Sequence, residues 1–152
     1  MTLRKLLQAI AALSTLAVGQ SLADTSYPGS LCHPDALSAR PNIHREDRGV
    51  FNRGGGTAFV SCPVLRDITQ DVDGLRGLRV FVTGSVSCTL NGRDFNGNLT
   101  GDDGSRDTAS YTGSGDSTLY LSTWKGYGGG PYEFACHLFS NGSGITGYYA
   151  DE

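Results

Sequence analysis

The amino-acid sequence predicts an all-β protein, a disulfide-stapled antiparallel β-sandwich of about seven strands, with a closed β-barrel as the alternative. Apolar and polar residues alternate along several short runs, which is typical of a sheet with one buried face. Turn-forming residues recur about every 8–12 positions, as they do in sandwiches. The 152-residue chain also contains 22 glycines and four cysteines. These observations together favour the sandwich.

Five runs carry the strand prediction. The clearest alternation lies in "TAFVSCPVL" (57–65), "LRVFVTGSVSCTL" (78–90) and "PYEFACHLF" (131–139). In the third run Tyr132, Phe134, Cys136 and Leu138 share the face expected to be buried. "STLYLSTW" (117–124) and "GITGYY" (144–149) resemble further strands.

The first 23 residues have the organisation of a secretory signal. Arg4 and Lys5 supply the positive start, an apolar run covers 6–18, and Ser21 and Ala23 place small residues before the cleavage point. The apolar run is too short to span a bilayer. We therefore predict cleavage after Ala23 and a secreted or periplasmic protein.

Residues 24–152 are expected to form a single β-sandwich domain. Its opening segment (24–56) lacks clean periodicity and is interpreted as an irregular N-terminal arm, with one early strand around Val50. The net charge of −3 becomes more negative once Arg4 and Lys5 are removed. Neither a nucleic-acid partner nor membrane insertion after signal removal is therefore expected.

The four cysteines predict two structural disulfides, because an even number in an exported chain favours a disulfide framework. They are Cys32, Cys62, Cys88 and Cys136. The last three are in phase with core-facing residues, whereas Cys32 lies in the arm and must pair with one of them. The sequence leaves that choice open.

The glycine-rich stretch "STWKGYGGGPY" (122–132) is the leading candidate binding site. Its aromatic residues, Trp124, Tyr127 and Tyr132, could present flat rings to a ligand, and sugar rings suit such a surface. Strand phase places Tyr120 and Trp124 on the face opposite Leu119 and Leu121. The alternative is that Trp124 closes the edge of the sandwich.

The stretch "NGRDFNGNLTGDDGSRD" (91–107) raises the question of calcium. Asp94, Asn96 and Asn98 imitate the first half of an oxygen-ligand calcium loop. Leu99 and Ser105 occupy the positions where an EF-hand needs Gly and Glu. The stretch is therefore interpreted as a turn without a cofactor, and calcium is the alternative.

The basic residues of the arm are a candidate anion site, and the histidines are a candidate zinc site. Glu46 and Asp47 lie among the arginines, so local neutralisation is the simpler interpretation. The histidines lack the close spacing of zinc ligands. The residues concerned are Arg40, Arg45, Arg48, Arg53, His33, His44 and His137.

No motif indicates catalysis. The sequence contains no G-x-S-x-G, H-E-x-x-H, Walker or dinucleotide-binding pattern. A non-enzymatic binding or accessory surface module is expected, with an extracellular carbohydrate or a cell-surface protein as partner. A structural or protein-interaction domain without a small ligand is the alternative, and a small secreted hydrolase ranks third.

Four short motifs add a resemblance. "LCHP" (31–34), "VSCPV" (60–64), "YEFACHL" (132–138) and "GITGYYADE" (144–152) resemble a group of small exported bacterial proteins of unknown function. Phe139 departs from the proline that often follows the third motif in that group. The resemblance implies an exported β-rich domain and transfers no catalytic residue.

Overall fold

The protein is described by a computed structural model covering residues 25–35, 42–64, 75, 77–92, 107–122 and 132–151. These residues form eleven strands and one short 3-10 turn, Gly29–Leu31. No helix within these ranges has the length and hydropathy needed to cross a membrane. The strands are β1 (Thr25–Pro28), β2 (His33–Pro34), β3 (Ile43–Glu46), β4 (Gly49–Asn52), β5 (Ala58–Val64), β6 (Gly77–Thr83), β7 (Val86–Gly92), β8 (Asp107–Tyr111), β9 (Asp116–Ser122), β10 (Tyr132–Leu138) and β11 (Gly144–Asp151).

The strands form two antiparallel sheets packed as a sandwich, which confirms the predicted fold class and excludes the closed barrel. One sheet has the order β3-β4-β11-β6-β9, with β1 also paired to β11. The other has the order β2-β5-β10-β7-β8. The described ranges contain more strands than the predicted seven because the arm itself contributes β1 to β4.

The core lies between the sheets and follows the alternation of the sequence. In β6, Leu78, Val80 and Val82 are at most 1% exposed, whereas Arg79 and Phe81 face solvent. In β10, Phe134 and Leu138 are fully buried. Burying one such side chain contributes about 1.5–3 kcal/mol. The repeated pattern therefore fixes which face of each sheet points inward.

Tyr148 joins the two sheets at the centre of the core. Its ring packs edge-on against Phe134 at 4.8 Å and stacks on Tyr27 at 5.0 Å. Its hydroxyl donates a hydrogen bond of 2.6 Å to the carbonyl oxygen of Pro63 in the opposite sheet. Burial raises the pKa of the Tyr148 hydroxyl above its ordinary value. The side chain is thus a neutral donor that ties β11 to β5.

Two disulfides are present, as the sequence predicted. Cys88 and Cys136 occupy directly opposed positions of β7 and β10 and face the core. Cys32, between the 3-10 turn and β2, pairs with Cys62 of β5. The second bond answers the question that the sequence left open, since β2 pairs with β5 and brings the arm beside Cys62.

The described parts of the arm, 25–35 and 42–56, contain more strands than the sequence pattern indicated. Its strands have only two to four residues, too few for a period of two to be recognised. In β4 all four residues are buried, so no alternation exists there. The single early strand expected around Val50 corresponds to β4, and three neighbouring strands accompany it.

Candidate functional site

The outer face of the six-stranded sheet carries a row of three large side chains across β9, β6 and β11. Arg79 lies directly opposite Tyr120 on one side and Tyr149 on the other. Its guanidinium carbon is 5.8 Å from the ring centroid of Tyr120 and 5.5 Å from that of Tyr149. We call these residues the tyrosine–arginine row. Tyr120 is 67% exposed, the largest value among the exposed large apolar and aromatic side chains described.

Strand alternation places this row in solvent. Leu119 and Leu121 are buried on either side of Tyr120, and Leu78 and Val80 are buried on either side of Arg79. Residues between buried neighbours on a strand must point outward. β6 pairs with β9 and β11 along its whole length, so the row stands on a rigid support. The predicted outward phase of Tyr120 is confirmed.

A depression of about 220 Å³ lies beside the row. Arg79 and Tyr120 form one side, while Ser122 and Asp151 lie across Gly77, which is paired with both. A side-chain carbon added at Gly77 would meet only the carbonyl oxygen of Leu121, at 3.6 Å. The absent side chain of Gly77 therefore helps to keep the depression open.

The depression combines an aromatic ring, a cation and an anion. Arg79 is exposed, and its guanidinium carries hydrogen-bond donors beside the two tyrosine rings. Asp151 supplies acceptor oxygens on the opposite side. The Ser122 hydroxyl is already engaged, because it donates to Oδ2 of Asp107 at 3.1 Å. The arrangement suits a polyol with an apolar face, which needs donors, acceptors and a ring surface together.

This depression lies at an end of the sandwich from which two of the longer inter-strand connections depart. Gly92 and Tyr132 are paired at the ends of β7 and β10. Across the sheets, the backbone N–H of Ser122 donates to Oδ2 of Asp107 at 2.6 Å. The segments 93–106 and 123–131, both outside the described residues, therefore start and finish at neighbouring strand ends.

The sequence-predicted aromatic residues have different outcomes. Tyr132 is only 3% exposed and is the first residue of β10, in phase with buried Phe134. Its ring belongs to the core rather than to an exposed surface. Trp124 and Tyr127 lie outside the described residues. The tyrosine–arginine row is one of the exposed aromatic surfaces within the described ranges, and it contains Tyr120, the most exposed of their large apolar and aromatic side chains.

The candidate calcium ligands, Asp94, Asn96 and Asn98, also lie outside the described residues. Among the residues that are described, no group of three His, Cys, Asp or Glu side chains could hold a metal ion. The histidines His33, His44 and His137 are exposed and lie on different strands.

One arginine of the arm, Arg53, is neutralised by a nearby carboxylate, as the sequence predicted. Nε and Nη2 of Arg53 donate to Oε1 of Glu46 at 2.8 and 2.5 Å. Arg45 is exposed on β3, Arg48 is exposed in the β3–β4 turn, and Arg40 lies outside the described ranges. No bound anion is needed to account for the Arg53 side chain.

The outer face of the five-stranded sheet carries a separate aromatic cluster. The His137 ring lies 4.3 Å from Phe59 and 6.0 Å from Phe139, centroid to centroid. On the same sheet, the Ser110 hydroxyl donates a hydrogen bond to the Ser87 hydroxyl at 2.7 Å. Phe59, at 38% exposure, provides a matched comparison for aromatic residues on the other face.

Sequence reasoning missed Arg79, Phe81 and Tyr149. A usable signal was present for the first two, since Arg79 and Phe81 occupy the outward phase of the strongly alternating run 78–90. Leu78, Val80 and Val82 already supply the buried face of this strand, so a phenylalanine on its other face indicates an exposed aromatic side chain. For Tyr149 no such signal existed, because the irregular pairing between Ile145 and Gly147 interrupts the phase of β11.

Comparison with solved structures relates the fold to carbohydrate-binding modules. A carbohydrate-binding module CBM36, solved in complex with calcium and xylotriose, is similar with a TM-score of 0.50 and 13% identity. The match covers 84% of this chain and 99% of that chain. At this identity the similarity concerns the fold.

Two further carbohydrate-binding modules are similar at lower scores. TmCBM61, in complex with beta-1,4-galactotriose, has a TM-score of 0.46 and 14% identity, over 86% of this chain and 89% of that chain. A family 6 carbohydrate-binding module has a TM-score of 0.46 and 11% identity, over 84% and 93%. No protein-family model and no curated protein matches the chain.

Proposed function

We propose that the protein is a non-enzymatic carbohydrate-binding module that holds a sugar against the tyrosine–arginine row. The observation that carries the proposal is the 67% exposure of Tyr120 in a row fixed by Arg79. The apolar face of a sugar ring would stack on Tyr120, and its hydroxyls would accept from Arg79 and donate to Asp151.

The fold similarity supports this class of protein. The CBM36 structure contains xylotriose, so we propose a neutral polysaccharide as the first ligand to test. Two disulfides are typical of proteins that work outside the reducing cytosol, where such polysaccharides occur. We accordingly propose a secreted or periplasmic location.

We retain two sequence-based proposals for the neighbouring segments. Trp124 follows the end of β9 by two residues, so it would extend the aromatic surface that Tyr120 begins, and Tyr127 would add to it. The second proposal is that Asp94, Asn96 and Asn98 bind calcium. The calcium in the CBM36 complex supports testing this ion.

The test is a glycan array with the oxidised protein, run in calcium and in EDTA. Tyr120→Ala should weaken binding about tenfold or more, since a stacking contact of this size is worth about 1.4 kcal/mol. Arg79→Ala should weaken it similarly, whereas Tyr120→Phe should retain it. Arg48→Ala and Phe59→Ala are the matched controls, because they remove the same groups from other surfaces.

The outcomes separate the proposals. Loss of binding on Trp124→Ala would support an extended surface, and loss in EDTA alone would support calcium. Binding that survives Tyr120→Ala and Arg79→Ala would contradict the proposed site. Binding to no glycan in either buffer would contradict the function and favour a protein-interaction domain, for which the Phe59–His137–Phe139 cluster would be examined first.

A further inference from the structure

The outer face of the six-stranded sheet continues beyond the tyrosine–arginine row. One row further along the strands, Phe81 of β6 lies opposite Thr118 of β9 and is 41% exposed. A second, more open depression of about 410 Å³ lies here. Phe81, Asp116, Thr118 and Thr146 contribute to its lining. The tyrosine–arginine row accordingly separates two depressions on the same face.

The two depressions are aligned with the strands. Gly77 pairs with Ser122 at one end of the β6–β9 pair, and Thr83 pairs with Asp116 at the other. Rows on one face of a strand are about 7 Å apart, so the three intervals from Gly77 to Thr83 span about 20 Å. The face is therefore long enough to contact successive units of a chain molecule.

A glycine on the neighbouring strand leaves the Phe81 ring uncovered. Gly147 of β11 lies directly opposite Phe81. A side-chain carbon at Gly147 would come within 3.7 Å of Cδ2 of Phe81 and within 3.1 Å of the carbonyl oxygen of Tyr27. A larger residue would crowd the ring from that side. Gly77 has the same effect in the first depression, where it leaves space between Ser122 and Asp151.

The second depression repeats the chemistry of the first. Phe81 supplies an apolar ring, Thr118 and Thr146 supply hydroxyls, and Asp116 supplies acceptor oxygens. The Thr146 hydroxyl donates to the carbonyl oxygen of Phe81 at 3.3 Å, which leaves its oxygen lone pairs as acceptors. An apolar ring beside donors and acceptors is again suited to a sugar unit.

Charge along the face favours a neutral chain. Asp151 lies at one end and Asp116 at the other, with Arg79 between them. A polyanionic chain would meet one cation and two carboxylates, in a protein whose net charge is already −3. A neutral polysaccharide meets no such repulsion and can hydrogen-bond to all three groups.

Given the proposed carbohydrate function, on which this step rests, we infer that the two depressions are successive subsites for a linear neutral polysaccharide. The chain lies along the β6–β9 pair, with one unit beside Tyr120 and another beside Phe81. The subsites contact units within the chain, so a free chain end is not required. The ligand class is consequently a linear polymer rather than a monosaccharide.

Calorimetric titration with oligosaccharides of increasing length tests this inference. The probes are β-1,4-linked xylose oligomers from one to six units, together with oligomers of any other glycan that binds on the array. We expect affinity to rise at least tenfold between the monosaccharide and the trisaccharide and then to level off. Reduction of the terminal sugar with borohydride should leave the affinity of the longer oligomers unchanged.

Variants of the second depression give the sharper readout. Phe81→Ala should weaken binding of the longer oligomers about fivefold to tenfold without changing monosaccharide binding, whereas Tyr120→Ala should weaken both. Thr118→Ala, on the paired strand, provides a second variant with a smaller change in side-chain volume. Phe59→Ala removes a phenylalanine of similar exposure, 38% against 41%, from the opposite face and should change neither.

The inference and the proposed function fail in different ways. Equal affinity for monosaccharide and trisaccharide, a requirement for the free reducing end, or unchanged binding in both Phe81→Ala and Thr118→Ala would overturn the two-subsite inference. Each of these results would leave Tyr120-dependent sugar binding intact. Binding of no oligomer and of no glycan would instead overturn the proposed function.

Discussion

The buried amide of Asn52 is the clearest case of a single residue that organises its surroundings. Its side chain is fully buried at the end of β4. Nδ2 donates to the carbonyl oxygens of Gly56 and Leu138 at 2.6 and 2.9 Å, and Oδ1 accepts from the backbone N–H of Gly54 at 2.9 Å. All three bonds are to backbone groups. Asn52 therefore holds the β4–β5 turn against the end of β10.

Asn52→Ala should destabilise the protein by about 1–3 kcal/mol, because it leaves the buried carbonyl oxygen of Leu138 without its partner. The measurement is the free energy of unfolding in urea. Asn141→Ala, at an exposed turn position, is the control and should change stability by less than about 0.5 kcal/mol. Equal effects of the two substitutions would contradict this assignment.

At the scale of elements, the arm is held against β11 by glycines at the irregularity of that strand. Side-chain carbons added at Gly29 and Gly49 would lie 2.1 and 2.0 Å from the carbonyl oxygen of Ile145. Gly49 also has a φ of 145°, which residues with a side chain rarely adopt. The 3-10 turn and β4 can pack against Ile145 only because both glycines lack side chains.

Gly49→Ala should destabilise the protein by more than about 2 kcal/mol, since it combines backbone strain with a clash against main-chain atoms. Gly55→Ala is the matched control, because no atom lies within 4 Å of the added carbon. Thermal unfolding of both variants measures the difference. A loss confined to Gly55→Ala, or absent from both, would be inconsistent with this packing.

At the scale of the whole molecule, the disulfides connect regions that are distant in sequence. Cys32–Cys62 closes a separation of 30 residues and ties the arm to β5, while Cys88–Cys136 closes 48 and joins β7 to β10. In the loop-entropy description such closures stabilise the folded state by about 3–4 kcal/mol each. The first bond also anchors β2, a strand of only two residues, to β5.

Replacing Cys32 and Cys62 together by alanine should lower the free energy of unfolding by about 3–4 kcal/mol. Chemical denaturation of the oxidised protein measures this loss. The double variant of Cys88 and Cys136 provides the comparison and should lose a similar or slightly larger amount, because its loop is longer. A loss below about 1 kcal/mol for either pair would contradict a structural role.

The sequence by itself determined the fold class, because the alternation that signals a one-sided sheet is a local property. It also determined that Cys62, Cys88 and Cys136 face the core and that Tyr120 faces solvent. The same alternation placed Tyr132 in phase with Phe134. The binding-site hypothesis for 122–132 treated Tyr132 as part of a glycine-rich loop. The residue is buried because it belongs to β10 and has the inward phase of that strand.

Only the tertiary structure decided which residues from different strands lie next to each other. The pairing of β2 with β5 makes Cys62 the partner of Cys32. The pairing of β6 with β9 and β11 places Arg79 between Tyr120 and Tyr149, so the three residues come from three different strands. Strand order and register depend on pairing between distant segments, which a local pattern does not encode. Side-chain phase is fixed by each strand alone, whereas a binding surface built across strands is fixed by how those strands pair.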